Sequence, residues 1–291
     1  MRSSSHPGSP NRTDHGAQAA DREHHRGGGG PALFVVGIGP GDPEHMSQMA
    51  RQAITRSEVI CGYATYVDLI RPLVTNQSII ATGMTKEVDR VHRAIETVAH
   101  GHSCALVCSG DPGVYAMAGL VFQVCAQNHI KIGDRPGELD VSVIPGIPAL
   151  CAGAALLGAP LMHDFAAISL SDLLTPWEMI EKRLHAAAMA DFVVVLYNPK
   201  SKKRHWQLDA AQKILLEHRK PDSPVGLVNS AMRENEQIAL TTLEALDTGR
   251  VDMLTTVFVG NSRTFVYDGH MVTLRGYDEK YELAFKRAEQ K

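Results

Sequence analysis

From Leu33 onward, short apolar runs alternate with longer stretches in which apolar residues return every third or fourth position. Residues 33–36, 59–61, 78–81, 105–108 and 141–144 are too short for helices and rich in β-branched or small apolar side chains, the pattern of buried strands. Each runs into turn chemistry: Gly37-Ile38-Gly39-Pro40-Gly41-Asp42-Pro43, Gly62-Tyr63, Gly83-Met84-Thr85, Ser109-Gly110-Asp111-Pro112-Gly113, and Pro145-Gly146-Ile147-Pro148-Ala149. Helical spacing fills the gaps. One helix follows Ser47, a good N-cap, with Met49, Ala50, Ala53 and Ile54 on one face; others are expected over 87–99, 114–126 and 150–157. After a composition shift at Gly158-Ala159-Pro160 the alternation restarts. Strands are expected at 166–170, 192–196, 225–228 and 254–259, and helices at 177–188 and 208–217. Strand and helix in alternation predict parallel βαβ units. The expected architecture is α/β: two α/β domains, residues 32–158 and 159–291, with a ligand in the cleft between them. Residues 1–31 lack any apolar stretch and read as a disordered tail, not a secretory signal.

Composition narrows the function. Of 291 residues, 44% are hydrophobic and 21% charged, enough for a sizeable core, and the net charge of −3 gives no bulk attraction to nucleic acid or anionic membrane. No apolar run reaches the ~18–20 residues that a membrane helix needs. The five cysteines, Cys61, Cys104, Cys108, Cys125 and Cys151, form no CxxC pair and lie in or beside apolar segments. They read as buried thiols of a reducing, cytoplasmic compartment, with no metal centre. His15, His24 and His25 of the tail read as solvated.

The chemistry gathers at the strand ends. Small-molecule sites in open α/β sheets form there. In Ser109-Gly110-Asp111-Pro112, Gly110 lets a ligand approach the backbone, Asp111 supplies an anionic acceptor and Pro112 stiffens the turn. The loop after residues 33–36 is not a dinucleotide fingerprint: GxGxxG requires glycine where Asp42 stands, and Pro40 removes an N–H from the phosphate cradle. A carboxylate there repels phosphate and suits a ligand with positive charge or hydroxyl donors.

Together these stretches resemble the tetrapyrrole methylases, two-domain enzymes that transfer a methyl group from S-adenosylmethionine to a porphyrin-like ring. The resemblance rests on Gly37 to Pro43, Ser109 to Pro112 and Ile144 to Ala149, and spans about residues 33–280. Cys61-Gly62-Tyr63 with Tyr66, Gly83-Met84-Thr85, the run Asp164 to Trp177, Tyr197-Asn198-Pro199 and Gly260-Asn261-Ser262 are similar to one branch. That branch methylates ring carbon 17 of precorrin-3B, with ring contraction, in cobalamin biosynthesis; the cobalt-bearing counterpart, cobalt-factor III, is the alternative substrate. The resemblance implies a homodimer and S-adenosylmethionine held by Pro40, Ser109, Gly110, Asp111, Val114, Pro148 and Ala149, with Asn198 and Ala231 closing over the adenine. Asn198 stands where a methionine or leucine is often found, and Pro148 where Ser or Thr is common. Candidates for proton movement are Asp42, Ser169 and Asp172; for the substrate, Tyr63, Tyr66, Ser171 and Arg204, with Lys202 beside it. Residues 171–176 read equally as an N-cap and loop before the helix at Trp177. An RNA methyltransferase of the same fold would want a basic, aromatic groove, and a nucleotide-binding regulator a phosphate-friendly loop; neither pattern is present.

Overall fold

The structure is a computed structural model and describes residues 30–201 and 204–284; the tail through residue 29, its histidines and Lys202 lie outside it. The first sheet comprises β1 (Leu33–Gly37), β2 (Val59–Tyr63), β3 (Ser78–Thr82), β4 (Cys104–Cys108) and β5 (Val141–Ile144). All run parallel, in the order β3-β2-β4-β1-β5. The helices α1 (Gln48–Arg56), α2 (Ala64–Leu69), α3 (Glu87–Ala99), α4 (Met117–Gln127) and α5 (Ala149–Leu157) follow the strands in turn. The Ser47 hydroxyl caps α1 by accepting from the Ala50 N–H at 3.1 Å. The helix expected from residue 114 begins three residues later at Met117, because Tyr115 takes a left-handed conformation (φ 52°) that a helix cannot continue through.

Both faces of this sheet are covered, which is why its strands are continuous apolar runs. Ala50, Ala53 and Ile54 of α1 and Val67 of α2 pack on Val36, Ile60, Ala105 and Val107. Val91, Ala94, Ile95, Val121 and Val124 of α3 and α4 pack on Leu33, Val35, Cys61 and Leu106 from the other side. Burial pushes the Cys61 and Cys108 thiols up to about 12, so they are inert; Cys151 is exposed.

The second half departs from pure βαβ alternation. It holds β6 (Gly158–Ala159), β7 (Phe165–Ser169), β8 (Val193–Tyr197), β9 (Pro224–Asn229), β10 (Gln237–Thr242), β11 (Thr255–Val259), β12 (Thr264–Tyr267) and β13 (His270–Thr273). Its helices are α6 (Trp177–Met189), α7 (Gln207–Leu216) and the short α8 (Tyr277–Lys280). The second sheet is mixed, in the order β10-β9-β11-β8-β7. β7 pairs parallel with β8, whereas β11 is antiparallel to both β8 and β9, and β10 is antiparallel to β9. It follows that β7, β8 and β9 point one way, and β10 and β11 the other. Helices α6 and α7 cover one face through Ile180, Leu184, Ala211 and Leu215. On the other face Leu157 and the partly buried Leu150 and Ala154 of α5 pack with Val195, Val228, Phe258 and Met271. The helix that leaves the first sheet is therefore the cover of the second.

Candidate active site

Strands β1 and β4 lie side by side at the centre of the first sheet, and their chains depart for opposite faces, β1 to α1 and β4 to α4. Such a reversal opens a crevice at the carboxyl ends, and three loops line it. The ladder continues past the strands: Ile38 N–H donates to Cys108 C=O (2.9 Å), and Gly39 and Gly110 exchange N–H···O bonds of 3.2 and 2.7 Å. The loop after β5 is pressed on both. A Cβ on Gly146 would lie 2.2 Å from the Gly110 carbonyl oxygen and 2.8 Å from Gly37, so these backbones meet with no side chain between them. Pro148 and Ala149 border the same spot, the Pro148 Cα lying 3.5 Å from where a Gly110 Cβ would be.

Asp111 secures this arrangement. Its Oδ1 accepts from the Gly113 N–H at 2.8 Å and its Oδ2 from the Gly146 N–H at 3.1 Å, tying the β4 loop to the β5 loop. The Val114 N–H donates to the Asp111 carbonyl at 3.2 Å. Asp111→Ala is thus expected to weaken ligand binding and folding together. Leaving the Gly146 N–H without its partner costs about 1–3 kcal/mol, a fall of roughly 2–12 °C in melting temperature at this chain length; unchanged melting with weakened binding would assign the carboxylate to the ligand alone.

A second group of side chains gathers at the carboxyl ends of β7, β8 and β9. The Ser169 hydroxyl accepts from Asn198 Nδ2 (3.0 Å) and from the Ser171 N–H (3.3 Å). Arg204 donates to the Asn198 carbonyl (2.8 Å) and to Ser171 Oγ (3.3 Å), and Gln207 Nε2 donates to Asp172 (2.9 Å). Arg204 is only 5% exposed. Its guanidinium holds the loops of β7 and β8 together. Nor are Ser171 and Asp172 caps: Pro176 fills the N-cap of α6 with no side-chain bond, while Leu173 and Leu174 project into solvent.

Three contacts join the two groups. Tyr115, on the β4 loop, donates its hydroxyl hydrogen to the Ala167 carbonyl of β7 at 2.8 Å, and its ring lies 5.1 Å from that of Tyr197. The Leu150 N–H donates to the Tyr197 hydroxyl at 2.8 Å; burial pushes that phenol up to about 12, against the pull of the Leu150 N–H. The third is Arg233, in the loop after β9. Its Nε–H donates to the Pro40 carbonyl at 2.5 Å and its NH2 group to Ser109 Oγ at 3.2 Å. Burial pushes the Tyr66 phenol up as well, and the charge of Arg233 pulls against that shift. Four residues around these contacts, Tyr115, Asn198, Ser230 and Met232, have left-handed backbones, and such strain concentrates at functional sites.

Pro40, Ser109, Gly110, Asp111, Val114, Pro148 and Ala149 are thereby assembled on one side, and Ser169, Ser171, Asp172, Asn198 and Arg204 on the other, with Ala231 two positions from Arg233. Tyr63 and Tyr66 stack edge to face at 5.2 Å at the end of β2. Asp42 lies beside Pro40, where Oδ1 caps the turn Pro43–His45 by accepting from the Glu44 N–H at 2.7 Å. Gly260-Asn261-Ser262 is at the far end of the second sheet, because β11 runs against β8. There Ser262 and Asn261 donate to Asp191, the residue that also pairs with Arg219. Tyr115, Tyr197 and Arg233 were not among the residues singled out for the site. Among the described residues, His185, Glu217 and His218 bring possible metal ligands within 4.8 Å of one another; they sit on α6 and just beyond α7, outside this cleft.

A parallel sheet and a mixed sheet with their strand ends converging on glycine loops define a methylase architecture: the chain belongs to the tetrapyrrole (corrin/porphyrin) methylases, whose family model matches residues 32–247. It is 54% identical over 86% of its length to the cobalt-factor III methyltransferase of Priestia megaterium, spanning 46% of that longer protein. It is 46% identical to the probable cobalt-factor III C(17)-methyltransferase of Salmonella typhimurium (84% of this chain, 99% of that one). To the precorrin-3B C(17)-methyltransferase of a Sinorhizobium species it is 39% identical (81% and 91%). The crystal structure of the methyltransferase CobJ superposes with a TM-score of 0.78 at 35% identity, covering 84% of this chain and all of that one.

Proposed function

We propose that this chain is an S-adenosylmethionine-dependent C-methyltransferase of cobalamin biosynthesis, acting at ring carbon 17 with ring contraction, and that its substrate is cobalt-factor III ahead of precorrin-3B. The observation that carries the reading is the 54% identity to the Priestia protein over 86% of the chain. The order of substrates follows from the 46% and 39% identities to the cobalt-factor III and precorrin-3B relatives, and it reverses the order expected from motifs alone. The chain acts as a cytoplasmic homodimer, with residues 32–158 and 159–291 as its two domains. No helix among the described residues is long and apolar enough to cross a membrane.

The cleft fits the methyl donor. Its floor is backbone, where the Pro40 and Gly110 carbonyls each keep a second lone pair beyond their bonds from Arg233 and Gly39, with two carboxylates, Asp42 and Asp111, where a phosphate ligand would meet repulsion. S-adenosylmethionine supplies an activated methyl on a sulfonium. In this reading Pro40, Ser109 to Asp111, Val114, Pro148 and Ala149 hold it from one side, and Asn198 and Ala231 from the other. Placement of the donor against a flat ring beside Tyr63 and Tyr66 is the protein's main contribution. Ring contraction also requires proton movement. Ser169 accepts two hydrogen bonds already, so its own O–H remains free to donate; the Asp42 and Asp172 carboxylates are partly occupied by Glu44 and Gln207. Purified protein given S-adenosylmethionine with cobalt-factor III or precorrin-3B in parallel is expected to yield a product one methyl heavier with a shifted absorption spectrum. Methylation of neither ring, with methylation of an RNA instead, would sink the proposal.

A further inference from the structure

Arg233 enters the cleft on a turn built for it. Ser230 and Met232 flank Ala231 with φ of 52° and 56°, the Arg233 N–H donates to the Ser230 carbonyl (3.1 Å), and the Met232 N–H to Glu236 Oε2 (2.6 Å). The opposite wall makes room. A Cβ on Gly41 would lie 2.7 Å from Arg233 Nε, and Gly41 has φ 141°. The guanidinium is half-buried, yet its two hydrogen-bond partners, the Pro40 carbonyl and the Ser109 hydroxyl, are neutral, and no carboxylate among the described residues lies within ion-pair distance of it. The contrast with Arg219 is direct: that buried guanidinium is paired with Asp191 at 2.5 Å. Burial lowers the Arg233 pKa, opposed only by the neighbouring Tyr66 phenol. A cation taken partly out of water with no counter-charge is a place prepared for an anion. Guanidinium binds carboxylate best, through its planar fork.

Resting on the proposed function, we propose that Arg233 is the anchor for a side-chain carboxylate of the macrocyclic substrate. The methyl donor's sulfonium is repelled by this charge, whereas the acetate and propionate arms of a corrin precursor need such a partner, and Tyr66, beside Arg233, offers the ring a flat apolar surface. On substrate binding the fork exchanges its neutral acceptors, Pro40 C=O and Ser109 Oγ, for the carboxylate. Arg233 thereby sets the position of the ring against the donor; it takes no part in the methyl transfer itself.

The test uses the full chain, Arg233→Gln and Arg233→Lys, with uroporphyrin III, an octacarboxylate, followed by fluorescence quenching, and S-adenosylhomocysteine followed by calorimetry. Arg233→Gln is expected to weaken uroporphyrin binding about ten- to a hundredfold, to weaken S-adenosylhomocysteine binding by a clearly smaller factor, since Pro40 and Ser109 each lose one bond, and to raise KM for the corrin precursor far more than it lowers kcat. Arg233→Lys, which keeps the charge but not the fork, should fall between. Equal weakening of both ligands in Arg233→Lys, or uroporphyrin binding unchanged in Arg233→Gln, overturns the inference. The function fails separately: a wild-type chain that binds uroporphyrin through Arg233 but methylates neither corrin precursor keeps the anchor and loses the assigned reaction.

Discussion

Gly146→Ala is expected to lower the melting temperature by about 6–12 °C and to abolish S-adenosylhomocysteine binding. The added methyl would stand 2.2 Å from the Gly110 carbonyl oxygen and 2.8 Å from the backbone of Gly37. Neither neighbour has a rotamer to change, so relief requires the β1, β4 and β5 loops to separate. Overpacking costs typically 1–3 kcal/mol and more where backbone must move; at about 2–4 °C per kcal/mol, some 3 kcal/mol gives the stated shift. Separation also breaks the Gly146 N–H bond to Asp111, which is why binding should go with stability. The contrast is Gly119→Ala in α4, where nothing lies within 4 Å of the added carbon; that change should stabilise by about 0.5–1 kcal/mol through helix propensity. If Gly146→Ala melts with the wild type, the close packing of the three loops is not what holds the site.

Asp191→Ala is expected to cost about 1–3 kcal/mol, because it takes the ion-pair partner from the buried Arg219 guanidinium while water can reach the partly exposed position it vacates. The Arg219 side chain is 2% exposed and has Asp191 as its ion-pair partner, with the Phe192 carbonyl as a further acceptor. Asp191 also accepts from the Ser262 N–H and hydroxyl, so one carboxylate fastens the end of α7, the start of β8 and the loop after β11. Arg219→Met, which removes the charge together with its need for a partner, should cost less. All of this lies at the end of the second sheet away from the cleft, so S-adenosylhomocysteine affinity measured at low temperature should stay within about threefold of wild type. A melting temperature within about 2 °C of wild type would show that the pair is not coupled to folding.

The first sheet was legible because helices cover both of its faces: each strand is an unbroken apolar run, and each glycine turn marks a carboxyl end. Four of the five strands of the second sheet are legible in the sequence, but not their directions. An apolar run such as Thr255–Val259 reads the same whichever way it points, and only its antiparallel pairing puts Gly260-Asn261-Ser262 at the end away from the cleft. β10 escaped because it is half-exposed and polar on one face. The hairpin of β12 and β13 carries a readable signal, Asp268-Gly269 with both residues left-handed, and was passed over. Asp111 reads from the sequence as an acceptor for a ligand; the donors it serves in the structure are the Gly113 N–H and, across 35 positions, the Gly146 N–H. Arg233 had no local signal at all. Its place depends on β9 running with β8, a relation made through β11 and invisible to any spacing rule.

The bond from Arg233 to Pro40 closes a loop of 193 residues, and this bears on how the protein is made. A chain emerging at about 5–20 residues per second presents β1 to β5 roughly 5–20 s before Arg233 leaves the ribosome. During that interval the glycine loops face water with no charge across them. Contacts this distant in sequence are also the slow ones in folding. The cleft therefore matures well after the first sheet, and a copy interrupted anywhere before β9 has the loops for a donor but no means of positioning a ring against it.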